Sequence, residues 1–263
     1  MTAPTGETGQ VLAVADMTKT FAGICALSHV TLEVNEGERV GLIGPNGAGK
    51  TTLFNCILGV TGMDQGRVTI GGVDVAGRPV HERVRMGIGR TFQRIELFGG
   101  SSVREHLLIA ERTREGSGRL WKDLIGRGRP TAVEIERCDA MLDQLGLLEL
   151  ADEPIEALSL GKGRLVEVGR ALMTNPRLLL LDEPSSGLDR AETADLASTL
   201  REVQSEQGFA ILLVEHDVEL VSNFTERSYV LDFGTVIAQG TTADVLADPA
   251  VRQAYLGVTT ETQ

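Results

Sequence analysis

Residues 44–51 read Gly44-Pro45-Asn46-Gly47-Ala48-Gly49-Lys50-Thr51 and are the most informative segment of the sequence for its fold. It fits the pattern GxxxxGK[ST], whose glycines let successive backbone N–H groups point at phosphate oxygens. Residues 39–44 before it are typical of a buried strand, and residues 50–58 carry apolar side chains at helical spacing. Such a helix presents the positive end of its dipole to the same anion. The stretch therefore predicts a phosphate-binding loop between a strand and a helix.

Side chains at the end of this loop predict contacts to a nucleotide and its metal ion. Lys50 is expected to reach the β- and γ-phosphates of ATP, and the Thr51 hydroxyl to ligate Mg²⁺. Thr52, the next residue, is assigned to the same nucleotide site. The alternative is an ordinary glycine turn. It is disfavoured because the chain has only four lysines and the loop has the strand and helix that the motif requires.

Two acids follow a run of four leucines, residues 178–181, that is typical of a buried strand. Parallel strands place their ligand-binding edge at their carboxyl ends. Asp182 is therefore expected to hold Mg²⁺, directly or through water, and Glu183 to orient and deprotonate the attacking water. His216 ends the next buried strand at that edge and is expected to contact the γ-phosphate and the water. The other histidines are interpreted as surface or structural residues: His29, His81 and His106.

The remaining patterns predict strands alternating with helices. Two early strands are expected to be antiparallel, with buried faces formed by Val11, Ala13 and Ala15 and by Val30, Leu32 and Val34. Residues 103–150 are predicted to be mainly helical and to form a lobe. Further helices are predicted over residues 164–173, 193–207 and 243–256. The predicted fold is α/β, with a mostly parallel sheet, an antiparallel β subdomain and a helical lobe.

The chain is expected to form a single domain over its 263 residues. The core, including the antiparallel β subdomain, is predicted over residues 11–93 and 175–240. The helical lobe is predicted over residues 94–174, and a C-terminal helix and tail over residues 241–263.

Composition narrows the function classes. The net charge of −12 argues against a protein that coats nucleic acid, because phosphate neutralisation requires a basic surface. No apolar run approaches the roughly 20 residues that span a bilayer, so a role at a membrane is expected to be peripheral. Residues 1–10 lack the pattern of a secretory signal, which predicts a cytoplasmic location. The three cysteines are widely spaced and indicate neither disulfides nor a zinc site.

The order of these motifs resembles the ATP-binding cassette (ABC) family, a group of P-loop NTPases, from about Val11 to Gly257. Residues 44–52 resemble its Walker A motif, and residues 178–184 its Walker B motif. The resemblance implies that Gln93 is the Q-loop glutamine, which senses Mg²⁺ and the γ-phosphate, and that His216 is the switch histidine. It also implies a D-loop at residues 186–189. Phe21 matches the aromatic residue that stacks on adenine, although an aromatic after a strand is usually a core residue.

Residues 158–162, Leu-Ser-Leu-Gly-Lys, occupy the place of the family's LSGGQ signature. They depart from it at Leu160 and Lys162, while Ser159 and Gly161 remain. In the family this segment contacts the γ-phosphate held by a partner cassette, so the resemblance implies that Ser159, Gly161 and Lys162 bind ATP across a dimer. Ser159 also suits a purely structural role as a helix N-cap. The implied partners are a second cassette, identical or paralogous, and transmembrane permease subunits.

Within the family, residues 87–93, 97–98, 103–107 and 240–257 resemble the cassettes of branched-chain amino-acid importers. Cassettes for urea, short-chain amides and lipopolysaccharide export share parts of this pattern. Residues 115–130 are interpreted as a mobile surface loop, or else as a docking element in which Trp121 contacts a membrane subunit.

Three alternatives remain at this point. A non-transport ABC ATPase usually has two cassettes, a coiled-coil insertion or a basic surface, and none is visible here. Another P-loop enzyme, such as a GTPase, would have the motif NKxD, which is absent, and a small-molecule kinase would not explain the signature and D-loop together. A non-catalytic nucleotide-binding regulator is disfavoured by the intact Lys50, Asp182, Glu183 and His216.

Overall fold

The computed structural model describes residues 9–91, 99–114 and 130–256. The predicted Q-loop glutamine, Gln93, lies outside these ranges, as do residues 115–129 with Trp121. The strands are β1 (Gln10–Phe21), β2 (Ile24–Asn35), β3 (Arg39–Ile43), β4 (Gln65–Ile70), β5 (Val73–Asp74), β6 (Ile88–Arg90), β7 (Leu178–Asp182), β8 (Ala210–Val214), β9 (Arg227–Asp232) and β10 (Thr235–Thr241).

The helices follow the same chain order. They are α1 (Lys50–Leu58), α2 (Val80–Arg85), α3 (Val103–Arg114), α4 (Ala132–Gln144), α5 (Leu160–Leu172), α6 (Arg190–Gln207), α7 (Val218–Phe224), α8 (Thr242–Ala247) and α9 (Pro249–Leu256). Short 3-10 turns lie at Leu148–Leu150 and Ile155–Ala157. No helix in the described ranges is both long enough and apolar enough to cross a membrane.

A six-stranded sheet in the order β10-β9-β3-β8-β7-β6 forms the centre of the molecule. Its strands pair in parallel, apart from the antiparallel pair β9 and β10. Strand β7 is buried on both faces, because Leu178 and Leu180 belong to one hydrophobic cluster and Leu179 and Leu181 to another. A strand covered on both faces reads as a continuous apolar run, and this confirms the predicted parallel sheet.

A second, antiparallel sheet has the order β2-β1-β4-β5 and confirms the predicted antiparallel subdomain. Its inner face, together with α1, packs against one face of the six-stranded sheet. The other face is covered by a cluster that includes Leu107 of α3, Leu142 of α4, Leu172 of α5 and Leu200 of α6. The predicted phosphate-binding loop connects the carboxyl end of β3 to the N-terminus of α1.

The predicted buried face of β1 is confirmed only at Val11, which is buried, and is wrong beyond it. Ala13 is half-buried and Ala15 is exposed, whereas Leu12, Val14 and Met17 are buried opposite Val34, Leu32 and Val30 of β2. The larger side chains take the inner face because their burial removes more apolar surface from water. A register shift between Gln10 and Leu12, where Val11 and Leu12 are both buried, also breaks the alternation on which the prediction relied. The predicted face of β2 is confirmed.

The single helix predicted over residues 243–256 is also wrong. The chain forms α8 and α9, separated by Asp248 in an extended conformation at φ −63° and ψ 125°. A residue before proline is disfavoured in the helical region, and Pro249 then begins the second helix. By contrast, α6 begins three residues earlier than predicted because Asp189 caps it by accepting a hydrogen bond from the Glu192 N–H.

Candidate functional site

The phosphate-binding loop connects β3 to α1 and has a backbone that only glycine tolerates at two of its positions. Gly44 has φ 153°, and a Cβ on it would lie 2.0 Å from the Leu231 carbonyl oxygen. Gly49 has φ 106°, and its Cβ would lie 2.6 Å from the Ala26 carbonyl oxygen. The loop is therefore pressed against β2 and β9 on its inner side. Asn46, Gly47 and Thr51 are exposed, so the cradle opens to solvent.

Lys50 lies beneath this loop as the first residue of α1 and is only 6% exposed. Its Nζ donates hydrogen bonds to the carbonyl oxygens of Gly44, at 2.6 Å, and Pro45, at 3.0 Å. Burial lowers the pKa of Lys50, and the charges of Glu183 and Asp182 act in the opposite direction. Strands β3 and β7 both pair in parallel with β8, so α1 begins at the sheet edge where both acids of the predicted Walker B motif lie.

Asp182 ends β7 at the same sheet edge and is 4% exposed. Its Oδ2 accepts a hydrogen bond at 3.1 Å from Nη2 of Arg90, while Nη1 of that arginine bonds Oδ1 of Asn55 at 3.1 Å. Burial raises the pKa of Asp182, and the Arg90 charge opposes the shift. The sequence interpretation missed Arg90. The available signal was a cation at the end of an apolar strand, three residues before Gln93.

Glu183 follows immediately and adopts φ 48°, a region that non-glycine residues seldom occupy. Its N–H donates to the Val214 carbonyl oxygen at 2.9 Å, which fixes the turn after β7 to the end of β8. Strained backbone of this kind persists only where its surroundings hold it, and it concentrates at functional sites. Nδ1 of His216 lies 4.0 Å from Oε1 of Glu183. The structure thus brings together the two residues that were predicted to contact the attacking water.

Phe21 lies at the end of β1, where it pairs with Ile24 across the hairpin to β2. Its side chain is 47% exposed, so the alternative interpretation of Phe21 as a core residue is wrong. The ammonium group of Lys19 lies 5.1 Å from the ring centroid. Strand β2 then continues to Ala26, whose carbonyl oxygen closely approaches Gly49. An exposed aromatic ring is therefore carried on the hairpin that packs against the phosphate loop.

The signature segment lies at the N-terminus of α5, on a different helix from the phosphate loop. Ser159 caps this helix, and its Oγ accepts a hydrogen bond from the Lys162 N–H at 3.4 Å. Helix α5 packs against α3, α6 and β6, whereas α1 packs against α2 and β2. The structure therefore does not bring Ser159, Gly161 and Lys162 to the phosphate loop of the same chain in the way that it brings Asp182 and Glu183.

One departure from the signature pattern, Leu160, packs against Gly187 of the predicted D-loop. A Cβ on Gly187 would lie 2.9 Å from Cδ2 of Leu160, and a Cβ on Gly161 would lie 3.2 Å from Oε1 of Glu192. Leu160 is 42% exposed. The absence of a side chain at position 187 thus leaves room for the leucine that replaces the first signature glycine.

Three histidines were interpreted from the sequence as surface or structural residues, and the structure confirms this. His106 is fully buried, and its Nδ1 lies 2.8 Å from the Ser102 carbonyl oxygen. Burial lowers the pKa of this histidine. Nδ1 of His29 lies 2.6 Å from the Asp16 carboxylate on the surface, and His81 is exposed.

Comparisons with known proteins agree with this geometry. Residues 27–186 match the sequence profile of the family described as ABC transporter, and residues 235–260 match that of the branched-chain amino acid ATP-binding cassette transporter. The chain is 39% identical over 251 residues to the high-affinity branched-chain amino acid transport ATP-binding protein LivG of Salmonella typhimurium, a match covering 94% of this chain and 98% of that protein. It is 36% identical to BraF of Pseudomonas aeruginosa, with the same coverage.

A solved ATP-binding cassette of an ABC transporter, in its ADP conformation, superposes with a TM-score of 0.85 at 35% identity. The match covers 95% of this chain and 100% of that chain. The extent of these matches confirms the resemblance read from the motifs. The chain therefore belongs to the ABC transporter family, as one of its ATP-binding cassettes.

Proposed function

We propose that this chain binds and hydrolyses ATP to drive a membrane transporter for branched-chain or other hydrophobic amino acids. The observation that carries the proposal is the convergence of Lys50, Asp182 and Glu183 at one sheet edge, where β3 and β7 end on either side of β8, next to a loop shaped by glycines. Nucleotide phosphates require such a cradle, a cation and an oxygen ligand for the metal ion. The chemistry of hydrolysis then requires a base beside the attacking water.

In this proposal residues 44–52 bind the phosphates and Phe21 stacks on adenine. Bound Mg²⁺ would neutralise charge on the phosphate oxygens. Its ligands would be the Thr51 hydroxyl and the Asp182 carboxylate, a hard oxygen set that suits Mg²⁺ held partly by substrate phosphates. Glu183 accepts the proton of the attacking water, and His216 contacts the water and the γ-phosphate. Gln93 is assigned, from the resemblance alone, to the same metal and phosphate.

A second cassette completes the site. Ser159, Gly161 and Lys162 begin α5, where backbone N–H groups and the helix dipole favour an anion. The fold holds this helix end apart from the phosphate loop of its own chain. The γ-phosphate that it contacts would therefore belong to ATP bound by a partner chain. ATP then lies between two chains, identical or paralogous, and its hydrolysis weakens their contact. Residues 94–174 are proposed as the lobe that moves with the signature.

The proposed permease contact is a groove of about 300 Å³ between α2, β6, α3 and α5. Three exposed apolar side chains lie along it: Val60, Val80 and Ile109. A helix of a membrane subunit with an apolar face matches this lining. Arg90 also lines the groove and donates a hydrogen bond to Asp182. One side chain thus connects the groove to the carboxylate that is proposed to bind the metal ion. The chain would accordingly work at the cytoplasmic face of the membrane.

The substrate class is proposed from the relatives. LivG and BraF carry names that state branched-chain amino acid transport, and the C-terminal profile over residues 235–260 carries the same description. No residue of a cassette is required to contact the transported molecule, so the phosphate site carries no information about it.

The substitution Glu183→Gln tests the hydrolytic step. It keeps the size of the side chain but removes its capacity to accept a proton, so we expect turnover to fall by about 10²- to 10⁴-fold. ATP binding should persist, and light scattering should show a dimer that forms with ATP. Wild-type turnover in this variant would contradict the assignment of the base.

The groove is tested by Ile109→Glu, with Val133→Glu as the matched control. Both residues are exposed apolar residues on helices, at 40% and 57%, but Val133 does not line the groove. We expect Ile109→Glu alone to abolish co-purification with the permease, while both variants retain the ATPase activity of the isolated chain. Equal co-purification of the two variants would contradict the docking proposal.

A further inference from the structure

Glu215 is a fully buried carboxylate between β8 and the switch histidine, with 0% exposure. Its Oε1 accepts two hydrogen bonds from Ser185, one from the backbone N–H at 2.9 Å and one from the hydroxyl at 2.6 Å. Its Oε2 accepts from the N–H of His216 at 3.1 Å and, at 3.5 Å, from the N–H of Asp217. One side chain thus joins the turn after β7 to the turn after β8.

The Ser185 contacts hold the turn that carries Glu183. The N–H of Glu183 is already bound to the Val214 carbonyl oxygen, and Ser185, two residues later, is bound to the Glu215 carboxylate. The turn is therefore attached to the end of β8 on both sides of Pro184. This double attachment accounts for the positive φ of Glu183, because a strained backbone needs surroundings that hold it in place.

The remaining contacts hold the histidine. Oε2 of Glu215 receives the backbone N–H of His216 and lies 3.8 Å from its Nδ1, which in turn lies 4.0 Å from Oε1 of Glu183. Asp217 follows and caps α7 by accepting hydrogen bonds from the N–H groups of Glu219 and Leu220. The carboxylate therefore fixes the backbone of His216 between the end of β8 and the start of α7.

Both oxygens of Glu215 act as hydrogen-bond acceptors in this arrangement. Four donors converge on two oxygens, and a carboxylate is an acceptor at both. Glutamine has nearly the same volume, but its NH2 group would face either the backbone N–H groups of His216 and Asp217 or the backbone N–H of Ser185, depending on its orientation. A buried donor left without an acceptor is costly, so the turn on that side must move.

We propose that Glu215 is a positioning residue for hydrolysis, which sets the separation between the water base Glu183 and His216. The inference rests on the proposed ATPase function. Glu215 acts on the chemical step through backbone that it holds, and it is not part of the nucleotide cradle.

The test is Glu215→Gln, compared with Ser185→Ala and with Glu111→Gln as the matched control. Glu111 is also a buried carboxylate, 1% exposed, but it pairs with Arg137 in the helical lobe. For each purified variant we would measure the Kd of a fluorescent ADP analogue, the kcat and KM of ATP hydrolysis, and the melting temperature.

We expect Glu215→Gln to lower kcat at least tenfold while the Kd for ADP changes less than twofold. Ser185→Ala should lower kcat less, because the backbone N–H of residue 185 still reaches Glu215. Glu111→Gln should leave kcat and the Kd for ADP within twofold of the wild-type values. We expect this even if its melting temperature falls as much as that of Glu215→Gln. A loss of kcat no larger than that of Glu111→Gln, or a parallel rise in Kd, would overturn the proposal.

If Glu215→Gln yields no folded protein, Ser185→Ala decides the matter, since it removes only the 2.6 Å hydrogen bond. An unchanged kcat in that variant overturns the positioning role. Failure of the proposed function itself is distinguishable, because the wild-type chain would then hydrolyse no ATP in the same assay.

Discussion

Replacing Lys50 with methionine removes the ammonium group while keeping a side chain of similar length. Lys50 is 6% exposed and is held by the Gly44 and Pro45 carbonyl oxygens, at 2.6 and 3.0 Å. In the nucleotide complex the ammonium group gains charge-assisted hydrogen bonds to phosphate oxygens. Methionine keeps the packing of the stem against the loop and loses these bonds.

The expected loss of ADP affinity is calculated from one hydrogen bond between the Lys50 ammonium group and a phosphate oxygen. A hydrogen bond to a charged group contributes about 1.5–3 kcal/mol. Since about 1.4 kcal/mol corresponds to a tenfold change in affinity, the Kd for ADP should rise by about 10- to 150-fold. The estimate counts a single phosphate contact, because part of the gain is offset by leaving the two carbonyl oxygens.

The assay is calorimetric titration of ADP into the nucleotide-free chain, with Lys162→Met as the control. Lys162 lies on α5, at the signature, and its contact is proposed to be with the γ-phosphate bound by a partner chain, so its loss should leave ADP affinity unchanged. If Lys50→Met binds ADP within twofold of the wild type, the interpretation of residues 44–51 as a phosphate cradle is refuted.

Two further substitutions test how the cradle is supported. Arg83→Met should lower the free energy of unfolding, measured by urea denaturation, by about 3 kcal/mol, because three hydrogen bonds of about 1 kcal/mol each are lost. Two of these bonds cap α1 at the carbonyl oxygens of Cys56 and Ile57. A loss below about 1 kcal/mol would contradict that capping role. Gly44→Ala should abolish measurable ADP binding, since its Cβ would lie 2.0 Å from the Leu231 carbonyl oxygen. Wild-type affinity would show that the loop needs no glycine there.

The sequence was sufficient for the parts of the site that local patterns determine. The spacing of Gly44, Gly49 and Lys50 predicts a curled loop, and a leucine run before Asp182 and Glu183 predicts acids at a strand end. These features depend on neighbouring residues only. The parallel sheet then brings His216 to the same edge, as the strand order required.

Contacts between distant segments could not be predicted in this way. The ion pair of Arg90 and Asp182 depends on β6 lying beside β7. The hydrogen bonds of Glu215 depend on how the turn after β7 and the turn after β8 are positioned relative to each other. The buried face of β1 was mispredicted beyond Val11 because a register shift between Gln10 and Leu12 changes the alternation. The space for Leu160 beside Gly187 is likewise visible only when α5 and the D-loop are packed together.

The proposed ATP site is tested most directly by a crystal structure of the Glu183→Gln variant grown with Mg²⁺ and ATP. We expect a triphosphate enclosed by residues 44–52 of one chain, a metal ion beside Asp182, and Ser159 of a second chain above the γ-phosphate. A nucleotide bound elsewhere on the chain, or bound at this loop with Asp182 and position 183 turned away from it, would contradict the proposed site.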